Sequence, residues 1–127
     1  MRLKNKVAII TGGASGFGKG IVEKFVKEGA KVVIADINYD SAKELQNVIG
    51  DRAIAVNVDV SKKNEVDDMI EKTVKHFSEV NILVQNAAIG MKPQSLLDTS
   101  EELFDRLFAV NVKSVYLGAK AVIPEFK

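Results

Sequence analysis

A glycine-rich run between two apolar stretches constrains this chain more than any other feature. The run covers residues 11–18, Thr-Gly-Gly-Ala-Ser-Gly-Phe-Gly, and it follows the apolar residues 7–10. The residues after it, 21–26, place apolar side chains at helical spacing. Residues 7–26 therefore predict a strand, a glycine turn and a helix, in that order.

The predicted turn is suited to binding an anion. Glycine permits backbone angles closed to other residues, and it lets a ligand approach the main chain where a Cβ would block it. The helix that follows directs its unpaired amide groups and the positive end of its dipole at the same space. We therefore expect a pyrophosphate here, in preference to a glycine turn without a ligand.

The glycine spacing resembles the cofactor turn of the short-chain dehydrogenase/reductase family. The chain reads Thr-Gly-x-x-x-Gly-x-Gly, as the family does, and this differs from the more general Gly-x-Gly-x-x-Gly fingerprint. The resemblance implies a nicotinamide dinucleotide cofactor. The turn residues that it assigns to the cofactor are Thr11, Gly12, Ser15, Gly16, Phe17 and Gly18.

An acidic residue ends the second predicted strand. Asp36 follows the apolar residues 32–35 and lies 20 residues beyond Gly16, close to the separation at which a carboxylate meets the adenosine ribose. A carboxylate there accepts bonds from the ribose hydroxyls and repels a 2′-phosphate, and the next residue, Ile37, is not basic. We therefore expect Asp36 and Ile37 to favour NAD over NADP. The alternative is an ordinary strand-end aspartate that caps the next turn.

The third predicted strand ends in a further match to the family. Residues 53–58 are nearly all apolar, as expected for a parallel strand covered on both faces. They lead to Asp59-Val60, and in the family an Asp and an apolar residue at this place contact the adenine. Ser61 is also predicted to cap the next helix.

The fourth predicted strand, residues 82–84, leads to Asn86-Ala87. The resemblance assigns these two residues the family's role of bracing the sheet beside the cofactor. The family's pattern here is Gly-x-x-Asp, then apolar residues, then Asn-Asn-Ala-Gly, and the chain departs from it at Ser78, Asn81, Gln85 and Ala88.

The last helix is predicted to begin at a capping box, Thr99-Ser100-Glu101-Glu102. On a regular helical wheel its apolar residues fill an arc of about 220°, which is too wide for one sheet contact and predicts a second packing partner. Asn111 falls near the middle of that arc, where an unpaired amide costs about 1–3 kcal/mol. We therefore expect Asn111 to be buried and bonded.

The resemblance assigns Asn111 a catalytic role. In the family an Asn in the pattern Asn-apolar-x-Gly helps to hold the water relay of the active-site lysine, and residues 111–114 match except at the final position. The alternative is a structural asparagine. Tyr116 and Lys120 spell the family's Tyr-x-x-x-Lys pair, but the pair belongs on the following helix, so we interpret these residues as an exposed i, i+4 pair.

Four predicted strands alternate with four helices, of which the first is predicted to end at Gly29 and the second at Gly50. This alternation predicts an α/β fold of the Rossmann type. The expected arrangement is a doubly wound parallel sheet of order 3-2-1-4 with right-handed crossovers. We expect residues 1–127 to form a single dinucleotide-binding domain that is C-terminally incomplete, ending after the fourth βα unit. In the family, an active-site serine and the catalytic Tyr/Lys pair lie further along the chain than the residues matched here.

The function implied by the resemblance is an NAD-dependent oxidoreductase acting on an alcohol/carbonyl substrate. The chain is expected to be its cofactor-binding half and to be inactive alone. Two alternatives stay open: a non-catalytic dinucleotide-binding module, and a structural fragment completed by a partner chain. The open edge of strand four and the wide apolar arc predict a homo-oligomer.

Composition excludes several other classes. The net charge is +1, from 18 basic and 17 acidic residues, so we expect no nucleic-acid or membrane partner. No apolar run is expected to be long enough to span a bilayer, and no signal peptide is expected, which predicts a cytoplasmic protein. The chain has no cysteine and one histidine, His76, and we expect no metal site.

Overall fold

The computed structural model describes residues 1–90 and 93–126 of the chain. Strands and helices alternate through the first two-thirds, and a long helical segment completes the fold. The strands are β1 (Val7–Thr11), β2 (Lys31–Asp36), β3 (Ala53–Asn57) and β4 (Ile82–Gln85). The helices are α1 (Gly16–Lys27), α2 (Tyr39–Ile49), α3 (Lys63–Phe77), α4 (Glu101–Phe108) and α5 (Ser114–Val122).

All four strands are parallel and lie in the order β3-β2-β1-β4, as the sequence predicted. The first strand is therefore central: Ile9 pairs with Val33 of β2 on one side and with Leu83 of β4 on the other. Because the strands are parallel, their carboxyl ends meet at one edge of the sheet, where ligands of such folds bind.

Alternate residues of β1 enter two different hydrophobic cores. Ile9 packs in a core with Met69 of α3 and Leu117 of α5, whereas Ile10 packs on the opposite face with Val22 of α1. All five side chains are buried. Helices thus cover both faces of the sheet, which is the doubly wound arrangement that the alternation of elements predicted.

The helix ends match the predicted stops only in part. Gly29 and Gly50 follow α1 and α2 with positive φ, as predicted. The residue after α3 is Ser78, which has φ +74° and ψ −14°, a left-handed conformation that a Cβ disfavours. At this position the pattern of the resembled family has a glycine, which adopts this conformation without strain.

Three local predictions were wrong. Ser61 is not the N-cap of α3, because its hydroxyl donates to Asp59 at 2.6 Å and α3 begins at Lys63. The capping box is not formed either: Ser100 is the N-cap of α4, and its Oγ accepts from the Leu103 amide at 3.0 Å. The third strand is only partly buried, because it lies at the edge of the sheet.

Two departures from the family's pattern anchor β4. Asn81 makes two hydrogen bonds to the backbone of Val7. Its side-chain Oδ1 accepts from the Val7 N–H at 2.7 Å, and its backbone N–H donates to the Val7 carbonyl at 2.9 Å. Gln85 Nε2 donates to the Val115 carbonyl of α5 at 3.0 Å. These side chains connect the edge strand to the centre of the sheet and to the last helix.

The last helical segment is not regular. Residues Ala109–Lys113 form a π-helical turn between α4 and α5. Within the described residues, the run Glu101–Glu125 has the length and apolar composition of a membrane-spanning helix, so the expectation that no such run exists was wrong. In this fold Val110, Leu117 and Val122 of that run are buried against the sheet and α3.

Candidate functional site

A cleft of about 250 Å³ opens where the carboxyl ends of the four strands meet. The glycine turn borders one side, and the segments after β2, β3 and β4 form the remaining walls together with the last helical segment. The lining residues are Gly12, Ser15, Ala35, Asp36, Ile37, Val58, Asp59, Val60, Asn86, Ala87, Ala88, Ile89, Arg106 and Val110.

The glycine turn is held by close backbone contacts. Gly12 adopts φ +65°, a left-handed conformation that glycine enters freely. Gly18, in the first turn of α1, packs directly on the Gly12 carbonyl, and a Cβ there would also lie 2.7 Å from Asn86 Nδ2. Only glycine fits at position 18 without moving the turn.

The N-terminus of α1 faces the turn without an internal cap. Ser15 is the N-cap in extended conformation, and within the described chain its side chain makes no capping bond. The first turn of the helix, Gly-Phe-Gly, contains no acidic residue. The first amide groups of α1 and its positive dipole end are therefore available to an anion.

Asp36 lies at the end of β2 and borders the cleft. Its Oδ2 accepts from the Ala14 amide at 3.0 Å, and its Oδ1 accepts from the Asn38 amide at 2.9 Å. The carboxylate thus supports the glycine turn and also caps the turn after β2. A carboxylate oxygen can accept more than one bond, so both oxygens keep capacity for a ligand hydroxyl.

Asn86 and Ala87 are braced against β1. Their amides donate to Thr11 Oγ1 at 3.0 and 3.1 Å, and the Asn86 Nδ2 donates to the Gly12 carbonyl at 3.2 Å. Thr11 is only 3% exposed. These bonds fix the end of β4 beside the glycine turn, which is the arrangement that the sequence predicted for Asn86-Ala87.

Asp59 is held by Ser61 and faces a cation. The Ser61 amide and hydroxyl both donate to Asp59 Oδ1, at 3.0 and 2.6 Å, and the Arg106 guanidinium lies 3.5 Å from Oδ2. Desolvation acts to raise the pKa of Asp59, but the Ser61 bonds and the charges of Arg106 and Lys62 outweigh it, so the pKa lies below its usual value. Asp59 is therefore ionised at neutral pH.

Asn111 lies in the π-helical turn and bonds the segment after β4. Its Oδ1 accepts from the Ile89 amide and its Nδ2 donates to the Ile89 carbonyl, both at 2.8 Å. The predicted burial was wrong, because Asn111 is exposed. The π turn shifts the side chains that follow Phe108 away from the positions of a regular helical wheel.

The structure brings most predicted site residues to the cleft. Eight of them line it: Gly12, Ser15, Asp36, Ile37, Asp59, Val60, Asn86 and Ala87. Thr11 and Gly18 lie behind the lining, and Asn111 contacts it through Ile89. Gly16 and Phe17 border a separate shallow groove along α1, and the Phe17 side chain is 90% exposed.

Sequence reasoning missed one charged residue of the cleft. Arg106, in the second turn of α4, lines the cleft together with Asp59, and it donates a hydrogen bond to Ser61. Nothing in the sequence marked it, because it is one of several charged residues on the polar side of the predicted helix. The apolar lining residues that were also missed are Ala35, Val58, Ala88, Ile89 and Val110.

The Tyr-x-x-x-Lys sequence in α5 is an exposed side-chain pair. Lys120 Nζ donates to the Tyr116 hydroxyl at 3.3 Å, and both side chains are exposed. Neither residue borders the cleft. Among residues 1–90 and 93–126, no three His, Asp or Glu side chains converge as a metal ligand set would.

The glycine turn, the strand-end carboxylates and the cleft between them define a dinucleotide-binding α/β protein of the Rossmann type. The family profile described as short chain dehydrogenase matches residues 6–127. The chain belongs to the short-chain dehydrogenase/reductase family.

Relatives of several activities share this half of their length with the chain. Tropinone reductase-like 2 from Erythroxylum coca is 43% identical over 123 residues, which cover 94% of this chain and 44% of that protein. Sorbitol dehydrogenase from Cereibacter sphaeroides is 38% identical over 123 residues, which cover 96% of this chain and 47% of that protein. The chain spans about half the length of the relatives that it matches.

A solved structure is similar throughout the chain. The crystal structure of 3-ketoacyl-(acyl-carrier-protein) reductase from Brucella melitensis complexed with NADH matches with a TM-score of 0.95 and 48% identity. The match covers 98% of this chain and 51% of that one. A protein of this fold thus binds a nicotinamide dinucleotide.

Proposed function

We propose that this chain is the NAD-binding half of a dehydrogenase or reductase that acts on an alcohol/carbonyl pair. The observation that supports this most directly is the Asp36 carboxylate at the end of β2, held by two backbone amides beside the glycine turn. In folds of this type the pyrophosphate binds at the first helix N-terminus, and a carboxylate at this position binds the adenosine ribose.

The residues of the cleft are suited to the pyrophosphate and adenosine parts of a nicotinamide dinucleotide. The uncapped N-terminus of α1 suits the pyrophosphate, Asp36 suits the ribose, and Asp59-Val60 suits the adenine beyond it. Ile89, bonded to Asn111, lies four residues beyond β4, which is the strand on the opposite side of β1 from β2. The bound cofactor supplies the hydride chemistry, and these residues bind and orient it.

We further propose that NAD is preferred over NADP. The Asp36 carboxylate would lie beside the 2′-phosphate of NADP and repel it, and Ile37 offers no positive charge. In calorimetric titrations the chain should bind NADH at least about tenfold more tightly than NADPH, a difference of about 1.4 kcal/mol. Asp36→Asn removes the charge and should reduce that ratio.

The control for this titration is Asp40→Asn, an exposed aspartate at the start of α2 that does not line the cleft. It should leave the ratio of the two affinities unchanged. Tighter binding of NADPH, or an Asp36→Asn variant with the wild-type ratio, would refute the NAD preference. Absence of binding to either dinucleotide would favour the structural-fragment alternative.

We propose that the chain alone does not catalyse turnover. The Tyr116/Lys120 pair is exposed outside the cleft. The sequence has one other Tyr-x-x-x-Lys, Tyr39 and Lys43 in α2, and these two side chains are also exposed outside the cleft. Steady-state assays with NADH and a panel of ketones should give no rate above the uncatalysed background. Activity that disappears in a Tyr116→Phe variant would show that this pair is catalytic after all.

A further inference from the structure

Arg106 connects α4 to the segment after β3. Its Nη1 donates to Ser61 Oγ at 3.1 Å and lies 3.5 Å from Asp59 Oδ2. Because Ser61 Oγ in turn donates to Asp59 Oδ1, the three side chains form a connected set. Among the described residues that line the cleft, Arg106 alone has a positively charged side chain.

The two oxygens of Asp59 have different surroundings. Oδ1 accepts both Ser61 bonds, whereas Oδ2 has the guanidinium charge beside it at a distance beyond a good hydrogen bond. The Asp59 side chain is only 14% exposed and lines the cleft. An ionised carboxylate accepts hydrogen bonds but donates none, so Asp59 offers the cleft acceptors alone.

The order of groups along the cleft places a nucleobase beside this acceptor. With the pyrophosphate at α1 and the ribose at Asp36, the base extends along the strand ends from β2 toward β3. Asp59 lies two residues beyond the end of β3. Adenine has an exocyclic amine, which donates, whereas hypoxanthine has a carbonyl oxygen at the same position, which would oppose the carboxylate.

We propose that Arg106 is a positioning residue that holds the Asp59 carboxylate toward the base and thereby sets the preference for a base with an exocyclic amine. This inference rests on the dinucleotide-binding function proposed above. Arg106 acts through Ser61 and through its charge beside Oδ2, and it fixes the segment after β3 to α4. Without it, the carboxylate loses the cation that lies 3.5 Å from Oδ2 and keeps only its Ser61 bonds and the weaker influence of Lys62.

The test compares two dinucleotides whose bases differ at the 6-position, amine or carbonyl, and in the hydrogen that hypoxanthine carries on the neighbouring N1. The 127-residue chain is titrated calorimetrically with NADH and with reduced nicotinamide hypoxanthine dinucleotide. Wild type should prefer NADH by about tenfold or more, since an acceptor facing an acceptor leaves both groups unpaired. Arg106→Leu should reduce this preference by at least about threefold.

Three further single variants and one double variant test how Arg106 acts. Arg106→Lys keeps the charge but not the guanidinium geometry, so it should retain part of the preference. Arg52→Leu replaces an exposed arginine outside the cleft and should retain all of it. Asp59→Asn should lower the preference for NADH over the hypoxanthine dinucleotide. The double variant Asp59→Asn/Arg106→Leu should have nearly the same preference as Asp59→Asn, because the two residues act together.

The outcomes separate this inference from the proposed function. If Arg106→Leu weakens both dinucleotides equally and leaves their ratio unchanged, Arg106 is merely structural and the inference is overturned. If wild type binds neither dinucleotide, the proposed function fails and the inference fails with it. Should Arg106→Leu not fold, Ser61→Ala interrupts the same connection, and an unchanged ratio in that variant overturns the inference equally.

Discussion

Gly18 packs on the Gly12 carbonyl so closely that a methyl group has no room between them. Because the contact is backbone to backbone, Gly18→Ala must separate α1 from the glycine turn. We expect a loss of about 1–3 kcal/mol in the free energy of unfolding, together with loss of dinucleotide binding. Urea denaturation and calorimetric titration measure the two effects.

Gly20 provides the matched control for this substitution. It lies in the same helix, and a Cβ there would meet nothing within 4 Å. Gly20→Ala should therefore stabilise the chain by about 0.5–1 kcal/mol, through the higher helix propensity of alanine. Equal effects of the two substitutions would show that helix propensity, and not the contact with Gly12, governs position 18.

Asp59 makes stability depend on pH in a defined direction. Its folded pKa lies below the usual value of 3.8, so its stabilising contribution is present above that value and is lost as the pH falls through the folded pKa. The stability difference between wild type and Asp59→Asn should be constant above about pH 5 and should shrink in more acidic solution. Thermal unfolding from pH 7 to pH 3 measures it. A difference that widens on acidification would contradict the assigned direction.

The sequence predicted those site residues whose role follows from their place at a strand end. Asp36, Asp59 and Asn86 each follow an apolar strand, and parallel strands bring such residues together. Arg106 could not be predicted in this way, because its position depends on how α4 packs across the sheet. Asn111 was singled out correctly as a bonded residue, but its exposure depended on the π turn.

The C-cap residue of α3, Ser78, has a backbone conformation that residues with a Cβ disfavour. Ser78 has φ +74°, which costs a residue with a Cβ about 1–2 kcal/mol. Ser78→Gly removes that cost but adds freedom to the unfolded chain, so we expect a net gain of about 0.5–1 kcal/mol. Ser78→Ala retains a Cβ and should bring no such gain. Urea denaturation of wild type, Ser78→Gly and Ser78→Ala measures the free energies of unfolding. A Ser78→Gly variant less stable than wild type would contradict the expected gain.

The π turn between α4 and α5 explains why a regular wheel failed for the last segment. The wheel placed Asn111 among apolar side chains, but the wider turn at residues 109–113 rotates the following residues relative to α4. Local sequence does not encode this extra residue per turn. The strands and helix stops at Gly29 and Gly50, by contrast, followed from apolar runs and glycine positions, so they were predicted correctly.

One side of the last helical segment forms an exposed apolar face. Its residues are between 49% and 58% exposed: Phe104, Phe108, Val112 and Val115. The β4 strand is also at the edge of the sheet. We propose that copies of the chain associate through this face or this edge, because covering one such side chain fully contributes about 1.5–3 kcal/mol.

Sedimentation at micromolar concentration should show a dimer or larger species. Phe108→Glu should raise the dissociation constant by about tenfold or more, since it places a charge in the apolar face. The control is Val48→Glu, because Val48 is 84% exposed on α2, away from that face. A wild-type monomer, or equal weakening by both substitutions, would contradict association through this face.

The central position of β1 also sets the order in which the site is completed during synthesis. The Thr11 hydroxyl cannot accept its two hydrogen bonds until Asn86 and Ala87 have been synthesised, and these lie 75 and 76 residues further along the chain. At about 5–20 residues per second, the ribosome needs roughly 4–15 s to add that interval. The first three strands can pair during this time, but the glycine turn lacks its brace. The cleft therefore cannot be complete before β4 and the two residues that brace the glycine turn have been synthesised.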